Sequence, residues 1–324
     1  MKGKRPEFLI IAGAPRCGTS SLFSNLAMHA QICPSRVKET GFFYPAAAPL
    51  RKWLPFEQGI EAYRGLFASD RGPETVRCEA TANYIYFPEV ARRIRDLLPD
   101  ARVVLVLREP IARLVSEYRY AILAGVIDHR CSFGQYIKAQ SAPGIGGTDG
   151  PSHLRALNNG LYSRFLPAYY EALGKERVLV VWFESLKSEP RATLRRIGEF
   201  AGLNAPHFDT VPLHTSNESV TVTRPRLFDL IRRLERAHLH VLATNTRMSL
   251  KHRMYRRASS ILLRIATAPS QPIEMTEDVR NFLDSYYRSE ADRIAALVGE
   301  QPPWRGRRPS PERVVQSTEQ ATPL

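Results

Sequence analysis

The sequence predicts an α/β fold, a P-loop-like, doubly wound parallel sheet of four to five strands flanked by helices. Short apolar, β-rich runs alternate with helical patterns along the chain, which is the order expected of such a sheet. Uninterrupted apolar runs such as VVLVL at 103–107 are typical of strands buried on both faces. The first apolar run leads into a loop with Gly-x4-Gly spacing, which is typical of a phosphate-binding turn before a helix.

The individual elements follow from the same patterns. Strands are predicted at 8–13, 75–79, 102–107 and 177–183. Helices are predicted at 18–29, 88–98, 110–123, 160–173 and 189–201, with a final helix at 276–298. Pro88 and Pro110 open two of these helices, at positions where a missing N–H removes no helical hydrogen bond. The Gly-, Pro- and Ser-rich stretch 141–152 is predicted to be a mobile loop.

A chain of 324 residues is long enough to bury a sizeable core, and it fits one large α/β domain with extensions or two small domains. The pattern along the chain favours one domain with a basic helical appendage. We expect a core at 1–223, a basic helical insertion at 224–270, a C-terminal helix that completes the core at 271–304, and a disordered tail at 305–324. The tail is assigned from its composition, which is typical of a disordered end.

The net charge of +14 predicts an anionic partner: a nucleotide phosphate, an acidic glycan, a nucleic acid or a membrane surface. Between 221 and 270 stand 11 lysine and arginine residues and two acidic ones, and residues 224–268 are predicted to form basic amphipathic helices. These helices are expected to cover the active site, bind an acidic acceptor or touch a membrane, with a solvated basic face as the plain alternative. A polyanion-binding protein that uses 224–268 is one alternative function.

The cysteines and the N-terminus indicate the compartment. The four cysteines, at 17, 33, 78 and 131, form no CxxC pair and no zinc-like spacing, and they fit a reducing compartment. We therefore expect a cytoplasmic protein. The N-terminal MKGKRPEFLIIAGA imitates a signal peptide, but its apolar run is short, so it is predicted to be the first strand. No other stretch approaches the roughly 18 apolar residues that a membrane span requires.

The loop GAPRCGTSS, which joins the first predicted strand to a helix, is a candidate anion site. Backbone N–H groups at a helix N-terminus and the helix dipole favour an anion. Gly13 and Gly18 permit a tight backbone path, Thr19 and Ser20 add hydroxyl donors, and Arg16 supplies a fixed cation. An ordinary turn with an incidental arginine is the alternative.

A nucleoside triphosphate site fits this loop less well than its spacing suggests. Thr19 stands where a P-loop carries its lysine, and the strand VVLVL ends in Arg108-Glu109-Pro110 instead of a metal-binding aspartate. A P-loop nucleotide kinase-like phosphotransferase therefore stays as a second alternative function.

A second basic cluster follows the strand at 102–107. Arg108 stands at the carboxyl end of this strand, and Ser116 lies in the next helix. Arg108 would face the same crevice as the first loop, where it can hold a second phosphate as a bidentate fork. Two anion sites at adjacent strand ends indicate a ligand with phosphates at both ends of a nucleoside. A structural ion pair of Arg108 is the alternative.

Taken together, these motifs resemble the sulfotransferase family, enzymes that use 3′-phosphoadenosine 5′-phosphosulfate (PAPS). GAPRCGTSSL resembles the 5′-phosphosulfate loop G-x-P-[KR]-x-G-T-[ST], and LREPIARLVSEY resembles the 3′-phosphate motif R-x-P-x-x-R-x-x-S-x-Y. PSRVKETGFF and CEATANYIYFP are similar to the K-E-x-x-F-F and E-x-T-P-x-Y elements, and residues 158–203 and the terminal LVGEQPPW match further blocks. The pattern is most similar to bacterial and heparan-sulfate-type members.

The resemblance implies PAPS as donor, PAP as product, and no metal. The implied donor-binding residues are Pro15, Arg16, Cys17, Gly18, Thr19, Ser20, Arg108, Ser116 and Tyr162. Among them, the resemblance assigns the 5′-phosphosulfate to the first loop and the 3′-phosphate to Arg108 and Ser116.

The resemblance also implies a catalytic set of Glu39, Arg16 and Lys38. Glu39 occupies the position of the general base, and Arg16 neutralises charge on the leaving phosphate. Sulfuryl transfer is an in-line displacement, so positioning, charge stabilisation and proton removal are the chemistry that such residues supply. The expected acceptor is a hydroxyl, or an amine, of a carbohydrate, glycolipid or small metabolite, including acidic or lipid-linked ones. Peripheral membrane contact is compatible with this expectation, and no specific nucleic acid is expected.

Several residues depart from the family pattern or have plainer interpretations. Ala80 stands where many carbohydrate sulfotransferases carry a lysine, which Lys38 would replace. Ala82, followed by Asn83, stands where proline is usual. Glu39 is alternatively a helix cap or a solvated carboxylate, and Glu79 a structural carboxylate. The scattered histidines are a reserve of bases at His29, His153, His207 and His214.

Overall fold

The computed structural model describes residues 5–48, 53–68, 75–141, 155–214, 220–242, 261–269, 272–306 and 312–315. At its centre is a parallel five-stranded sheet with the strand order β2-β3-β1-β4-β5. The strands are β1 (Phe8–Gly13), β2 (Ile32–Pro34), β3 (Val76–Ala80), β4 (Arg102–Leu107) and β5 (Val178–Trp182). The predicted fold class is confirmed, and so are the four predicted strands. The edge strand β2 was not predicted, because three residues are too few to produce a recognisable pattern.

The central strands are buried on both faces, as their continuous apolar sequence predicts. Every residue of β1 is buried, and so are the last five residues of β4. β1 pairs in parallel with β3, with Ile11 opposite Ala80, and with β4 on its other side. The carboxyl ends of these three strands therefore meet at one edge of the sheet, and the loops that follow them lie close together.

Helices cover the sheet and extend beyond it. The helices are α1 (Thr19–Ala27), α2 (Gly59–Arg64), α3 (Pro88–Leu97), α4 (Pro110–Leu123), α5 (Phe133–Gln140), α6 (Leu166–Leu173), α7 (Phe183–Ser188), α8 (Pro190–Phe200), α9 (Pro225–Leu242), α10 (261–266), α11 (Glu277–Tyr287) and α12 (Glu290–Val298). α3 and α4 begin at their prolines, as predicted. Glu109 caps α4, since its carboxylate accepts hydrogen bonds from the N–H groups of Ile111 (3.0 Å) and Ala112 (2.5 Å).

Two predicted helices differ in the structure. The predicted helix 276–298 is two helices, α11 and α12. The buried carboxylate of Glu290, at the start of α12, is held by the N–H (2.7 Å) and hydroxyl (2.8 Å) of Ser163, which fixes the start of the second helix. The predicted helix 160–173 begins only at α6. Two short 3-10 turns, Asn158–Gly160 and Tyr162–Arg164, precede it, and Pro167 lacks the N–H that would bond back into a longer helix.

Two short strand pairs lie outside the central sheet. β6 (Val220–Val222) pairs antiparallel with β7 (Thr267–Pro269), and β8 (Ile273–Thr276) pairs parallel with β9 (Glu312–Val315). β9 lies within the predicted disordered tail 305–324, and its backbone bonds to β8. Residues 307–311 and 316–324 lie outside the described range, and the tail as a whole stays a prediction. Most of the predicted loop 141–152, and residues 243–260 of the basic insertion, also lie outside the described range.

The division of the chain into core, insertion and C-terminal helix stays a prediction. The structure adds that Glu300, which follows α12, accepts a hydrogen bond from the indole N–H of Trp182 in β5 over 2.6 Å. Among the described residues, no helix has both the length and the apolar composition needed to cross a membrane.

Candidate active site

The loop between β1 and α1 depends on its two glycines. Gly18, which precedes α1, has a left-handed backbone with φ of 82°, and a Cβ there would lie 2.9 Å from a ring carbon of Phe183. A Cβ on Gly13 would lie 2.7 Å from the Cβ of Ile85. Within the described residues, no side chain caps α1. The first N–H groups of the helix are therefore available to an anion, with Thr19 and Ser20 beside them.

The side chain of Arg16 is held by α4. Its Nε donates to the hydroxyl of Ser116 over 3.3 Å, and its guanidinium carbon lies 4.6 Å from the ring centre of Tyr120. The backbone of Arg16 is left-handed, with φ of 67°, a conformation that a non-glycine residue adopts only when its surroundings hold it there. Burial lowers the pKa of Arg16, and the nearby carboxylate of Glu117 opposes that shift. The two predicted donor motifs thus meet at this guanidinium.

Arg108 connects the end of β4 to the same loop. Its Nη1 donates to the carbonyl oxygen of Arg16 over 3.2 Å, and its guanidinium stacks over the ring of Phe183, with 4.5 Å between the guanidinium carbon and the ring centre. Two arginines therefore stand side by side at the carboxyl edge of the sheet. Such a pair can hold two phosphate-like groups.

Tyr162 and Cys17 lie behind the loop rather than on its open side. Tyr162 is fully buried, and its hydroxyl donates to the carbonyl oxygen of Arg108 over 3.0 Å and lies 3.7 Å from the sulfur of Cys17. Burial raises the pKa of the Cys17 thiol to about 11. These side chains join the two loops from within, so any contact of Cys17 with a donor is through its backbone.

Glu39 and Lys38 lie at the end of the neighbouring strand β3. The N–H of Glu39 donates to the carbonyl oxygen of Ala80 over 2.9 Å, and its Oε2 accepts from the N–H of Ala82 over 3.0 Å. The Nζ of Lys38 lies 2.5 Å from Oε1 of Glu39. The backbone of Glu39 is left-handed, with φ of 63°. The Glu39 side chain is 43% exposed, so an incoming molecule can reach this carboxylate.

The contacts of Glu39 and Lys38 can be compared with the alternative interpretations of these residues. Ala82 begins a 3-10 helix, Ala82–Tyr86, so Glu39 does bond to the first N–H of a helical turn, as a cap would. Its second oxygen is directed to Lys38. Ala80 is fully buried in the sheet, and Lys38 is the cation that the structure places beside Glu39.

Glu79 forms a buried network under the Glu39 loop. It is fully buried, and its carboxylate accepts from the hydroxyls of Thr40 (2.8 Å), Thr81 (2.8 Å) and Tyr63 (3.2 Å). Burial raises the pKa of Glu79 to about 7, although the three hydroxyl donors act in the opposite direction. Because Thr40 follows Glu39 directly, this network anchors the backbone that carries the exposed carboxylate.

Three described histidines from the reserve set lie away from the loop. The ring of His29, after the end of α1, lies 3.1 Å through Nε2 from the carbonyl oxygen of Asn204 and packs against the ring of His207 at 4.7 Å. The backbone of His214 bonds to the side chain of Asn25, also in the last part of α1. All three surround the end of α1 opposite to Gly18. His153 lies outside the described residues.

Sequence patterns missed the aromatic and acidic residues that hold the arginines. Tyr120 is four residues after Ser116 on α4, so helical spacing alone would have placed it on the same face. Phe183 follows β5 directly, at the same edge of the sheet. Glu117 is buried between Arg16 and Arg113, which oppose the upward shift of its pKa that burial causes.

Fold and site together define a P-loop-like α/β protein with two adjacent arginine-bearing loops and a neighbouring exposed carboxylate. Residues 6–294 match the sulfotransferase domain family. The chain belongs to this family, and the resemblance inferred from its motifs is confirmed.

The chain is distantly similar to individual curated proteins. The chain is 26% identical over 198 residues to heparan sulfate glucosamine 3-O-sulfotransferase 6 of Mus musculus, which covers 61% of this chain and 52% of the relative. It is 28% identical over 210 residues to the bifunctional heparan sulfate N-deacetylase/N-sulfotransferase 2 of Homo sapiens, covering 61% of this chain and 22% of that one. The chain therefore spans about half the length, or less, of these curated relatives.

A solved sulfotransferase from Alicyclobacillus acidocaldarius shares the fold. The two structures align with a TM-score of 0.61 at 22% identity, over 93% of this chain and 99% of the other. This similarity agrees with the parallel sheet and its flanking helices.

Proposed function

We propose that this protein transfers the sulfuryl group of PAPS to a hydroxyl, or less favourably an amine, of a carbohydrate, glycolipid or small metabolite. The observation that carries the proposal is the contact of Arg16 with Ser116, because it brings the two predicted donor motifs together. Membership of the sulfotransferase domain family supports the same reaction.

The donor would lie along the carboxyl edge of β1 and β4. The uncapped N-terminus of α1, with Thr19 and Ser20, fits the 5′-phosphosulfate, and Arg108 with Ser116 fits the 3′-phosphate. When bound, PAPS supplies an activated sulfuryl group. The chain contributes fixed hydrogen-bond donors and two guanidinium charges, which lower the barrier by stabilising charge that develops on the leaving group.

Glu39 is proposed to remove the proton of the acceptor. Its carboxylate is exposed, and the N–H of Ala82 fixes one of its oxygens. Lys38 orients the second oxygen and supplies positive charge on the acceptor side. Arg16, on the neighbouring loop, is proposed to balance charge at the bond that breaks, so that base and leaving-group cation lie on opposite sides of the transferred group.

The acceptor class is the finer part of the proposal. The curated relatives act, by their names, on heparan sulfate, and this supports a carbohydrate among the acceptor classes proposed. A cytoplasmic location is proposed together with it, since none of the four cysteines, all in the described chain, forms a disulfide.

Ligand-dependent thermal unfolding, followed by an activity assay, tests the proposal. We expect PAP to raise the unfolding temperature without magnesium, since binding to the folded state alone stabilises it. Incubation with PAPS and a panel of glycans, glycolipids and hydroxylated metabolites should then give products heavier by one SO₃. Stabilisation by Mg-ATP and none by PAP would instead indicate a nucleotide kinase.

A further inference from the structure

The described part of the basic insertion is a pair of helices attached to α4. Phe228 and Ile231 of α9 and Ala266 of α10 form a small buried cluster, against which Leu123 of α4 packs. The N–H of Thr223 donates to the carbonyl oxygen of Ala266 over 2.9 Å. The inner faces of α9 and α10 are therefore buried by packing against each other and against α4.

The outer faces of the two helices expose aliphatic side chains. We call this the aliphatic surface, formed by Leu230, Leu234, Ile261, Leu262 and Ile265. The exposed fractions run from 38% at Leu262 to 60% at Ile261. These five residues are half of the ten large hydrophobic residues that are exposed in the described chain. Single exposed hydrophobic residues are common, but a concentration on two adjoining helices marks an interaction surface.

Exposed arginines flank the aliphatic surface. Leu230 and Leu234 are one turn apart on α9, and Arg226 and Arg233, both exposed, lie beside them on the same helix. Arg264 is exposed on α10 between Ile261 and Ile265. The result is an amphipathic surface that is both apolar and positively charged.

The acidic residue among the described side chains of α9 does not balance this charge. Asp229 faces the loop after α4, where its carboxylate lies 3.3 Å from Nδ1 of His129 and 4.0 Å from a guanidinium nitrogen of Arg130. Among the described side chains, no acidic group is paired with Arg226, Arg233 or Arg264, so their charges are available to an anionic partner.

We propose that the aliphatic surface and its flanking arginines dock onto a membrane leaflet that contains anionic lipid. The leucine and isoleucine side chains would enter the boundary between headgroups and acyl chains, and the guanidinium groups would contact lipid phosphates. The inference concerns binding and does not rest on the proposed transfer reaction.

Other partners fit the surface less well. An acidic polysaccharide or a nucleic acid would pair with the arginines but leave the five aliphatic side chains in water. A second copy of the chain, related by a two-fold axis, would bring its arginines against those of the first, since such contacts use the same patch on both copies. A lipid surface satisfies both the apolar and the charged components.

Docking would also set the position of the candidate active site. Leu123, which packs against the α9–α10 pair, is seven residues after Ser116 on α4. Seven helical residues span roughly 10 Å. The surface and the donor-binding helix are thus parts of one packed unit, and an acceptor carried in the membrane would be presented near it.

Vesicle cosedimentation of the full-length protein tests the proposal. One set of vesicles contains phosphatidylcholine alone, and the other contains phosphatidylcholine mixed with phosphatidylglycerol. We expect sedimentation with the mixed vesicles, weakened by salt, and little with the neutral ones. The double substitution Arg226→Gln with Arg233→Gln should lower the partition coefficient about 30-fold, since each basic side chain at an anionic surface contributes on the order of a factor of five.

A second pair of variants separates the apolar component from the charge. Leu230→Ser with Leu234→Ser should weaken binding to the mixed vesicles while retention on heparin is unchanged. Phe282→Ser, an exposed hydrophobic on α11, and Arg92→Gln, an exposed arginine on α3, are controls that should leave vesicle binding unchanged. Far-UV circular dichroism checks that each variant is folded.

Four results would overturn the proposal. Retention on heparin without sedimentation on anionic vesicles would identify a polyanion surface. Concentration-dependent dimerisation that the leucine variant abolishes would identify a second copy as the partner. Equal sedimentation of the wild type and both double variants would show that another part of the protein contacts the membrane. No sedimentation of the wild type would show that the aliphatic surface does not bind lipid and is either covered or solvated.

Discussion

Nε of Arg16 donates a hydrogen bond to the hydroxyl of Ser116 over 3.3 Å, although the two residues are 100 positions apart in the sequence. The contact exists because β1 and β4 are neighbours in the parallel sheet, so the loop after β1 meets the helix after β4. It makes the two proposed phosphate subsites one structural unit.

Arg16→Ala should lower turnover more than donor affinity. If the guanidinium stabilises charge on the leaving phosphate, its loss should reduce kcat about 100- to 1000-fold, the range for losing one preorganised donor. Arg16→Lys should keep part of the rate, because it retains the charge but not the planar fork. Steady-state kinetics with PAPS and calorimetric titration with PAP measure the two effects. An unchanged kcat in the alanine variant would exclude this role.

Arg108→Ala should weaken binding of the 3′-phosphate specifically. Loss of a charge-assisted contact corresponds to about 1.5–3 kcal/mol, or roughly 10- to 150-fold in Kd. The loss should appear for PAP and be small for adenosine 5′-monophosphate, which has no 3′-phosphate. Arg92→Ala, at an exposed position on α3, is the matched control. Equal losses for both nucleotides would assign Arg108 to the 5′ side or to the fold.

Glu39→Gln should abolish turnover and preserve PAP affinity. Glutamine can still accept the hydrogen bond from the N–H of Ala82 but is a far weaker base, so kcat should fall by about 100- to 10,000-fold. Glu57→Gln, at an exposed position after the same loop, should leave turnover and PAP affinity unchanged. Turnover and PAP titration are measured on the same preparations. Normal turnover in this variant would show that a group other than Glu39 acts as the base.

Gly18→Ala should reduce both stability and PAP affinity. Gly299 has the same φ of 82°, but a Cβ there meets nothing within 4 Å, whereas at Gly18 it would meet Phe183 at 2.9 Å. Gly299→Ala should therefore cost only the left-handed backbone penalty, about 1–2 kcal/mol in the free energy of unfolding. Urea denaturation and PAP titration compare the two. The prediction fails if the two variants lose equal stability and keep equal affinity.

Glu79 should make the stability of the protein fall as pH rises. Burial raises the pKa of Glu79 from 4.5 to about 7, so the folded protein binds this proton more tightly than the unfolded chain does. The stabilisation is complete below pH 4.5 and is lost as pH rises through about 7. Burial also raises the pKa values of Glu117 and Glu290, which act in the same direction.

The variant Glu79→Gln isolates the contribution of this residue. Its unfolding temperature should depend less on pH between 5 and 8 than that of the wild type, because glutamine does not titrate. Calorimetry at several pH values measures the two slopes, with Glu57→Gln as an exposed carboxylate control. Identical slopes for Glu79→Gln and the wild type would show that Glu79 does not titrate in this range.

Local sequence patterns were enough to predict the parallel sheet, the loop after β1 and the starts of α3 and α4. These features are local: apolar runs, glycine spacing and prolines act within a few residues of where they stand. The predicted helix at 276–298 is instead two helices, and the second is held at its start by the contact of Glu290 with Ser163, a long-range contact that sequence periodicity does not contain.

The contacts that hold the candidate site together follow from long-range packing and could not be predicted from the sequence. Tyr120 becomes the partner of Arg16 only because β1 and β4 lie side by side, and Phe183 becomes the partner of Arg108 only because β4 and β5 do. The left-handed backbone of Glu39 and its bond to Ala82 likewise depend on the position of β3. Motifs identify the reactive residues. Long-range packing sets the orientation of these residues, because each of them is held by groups far from it in the chain.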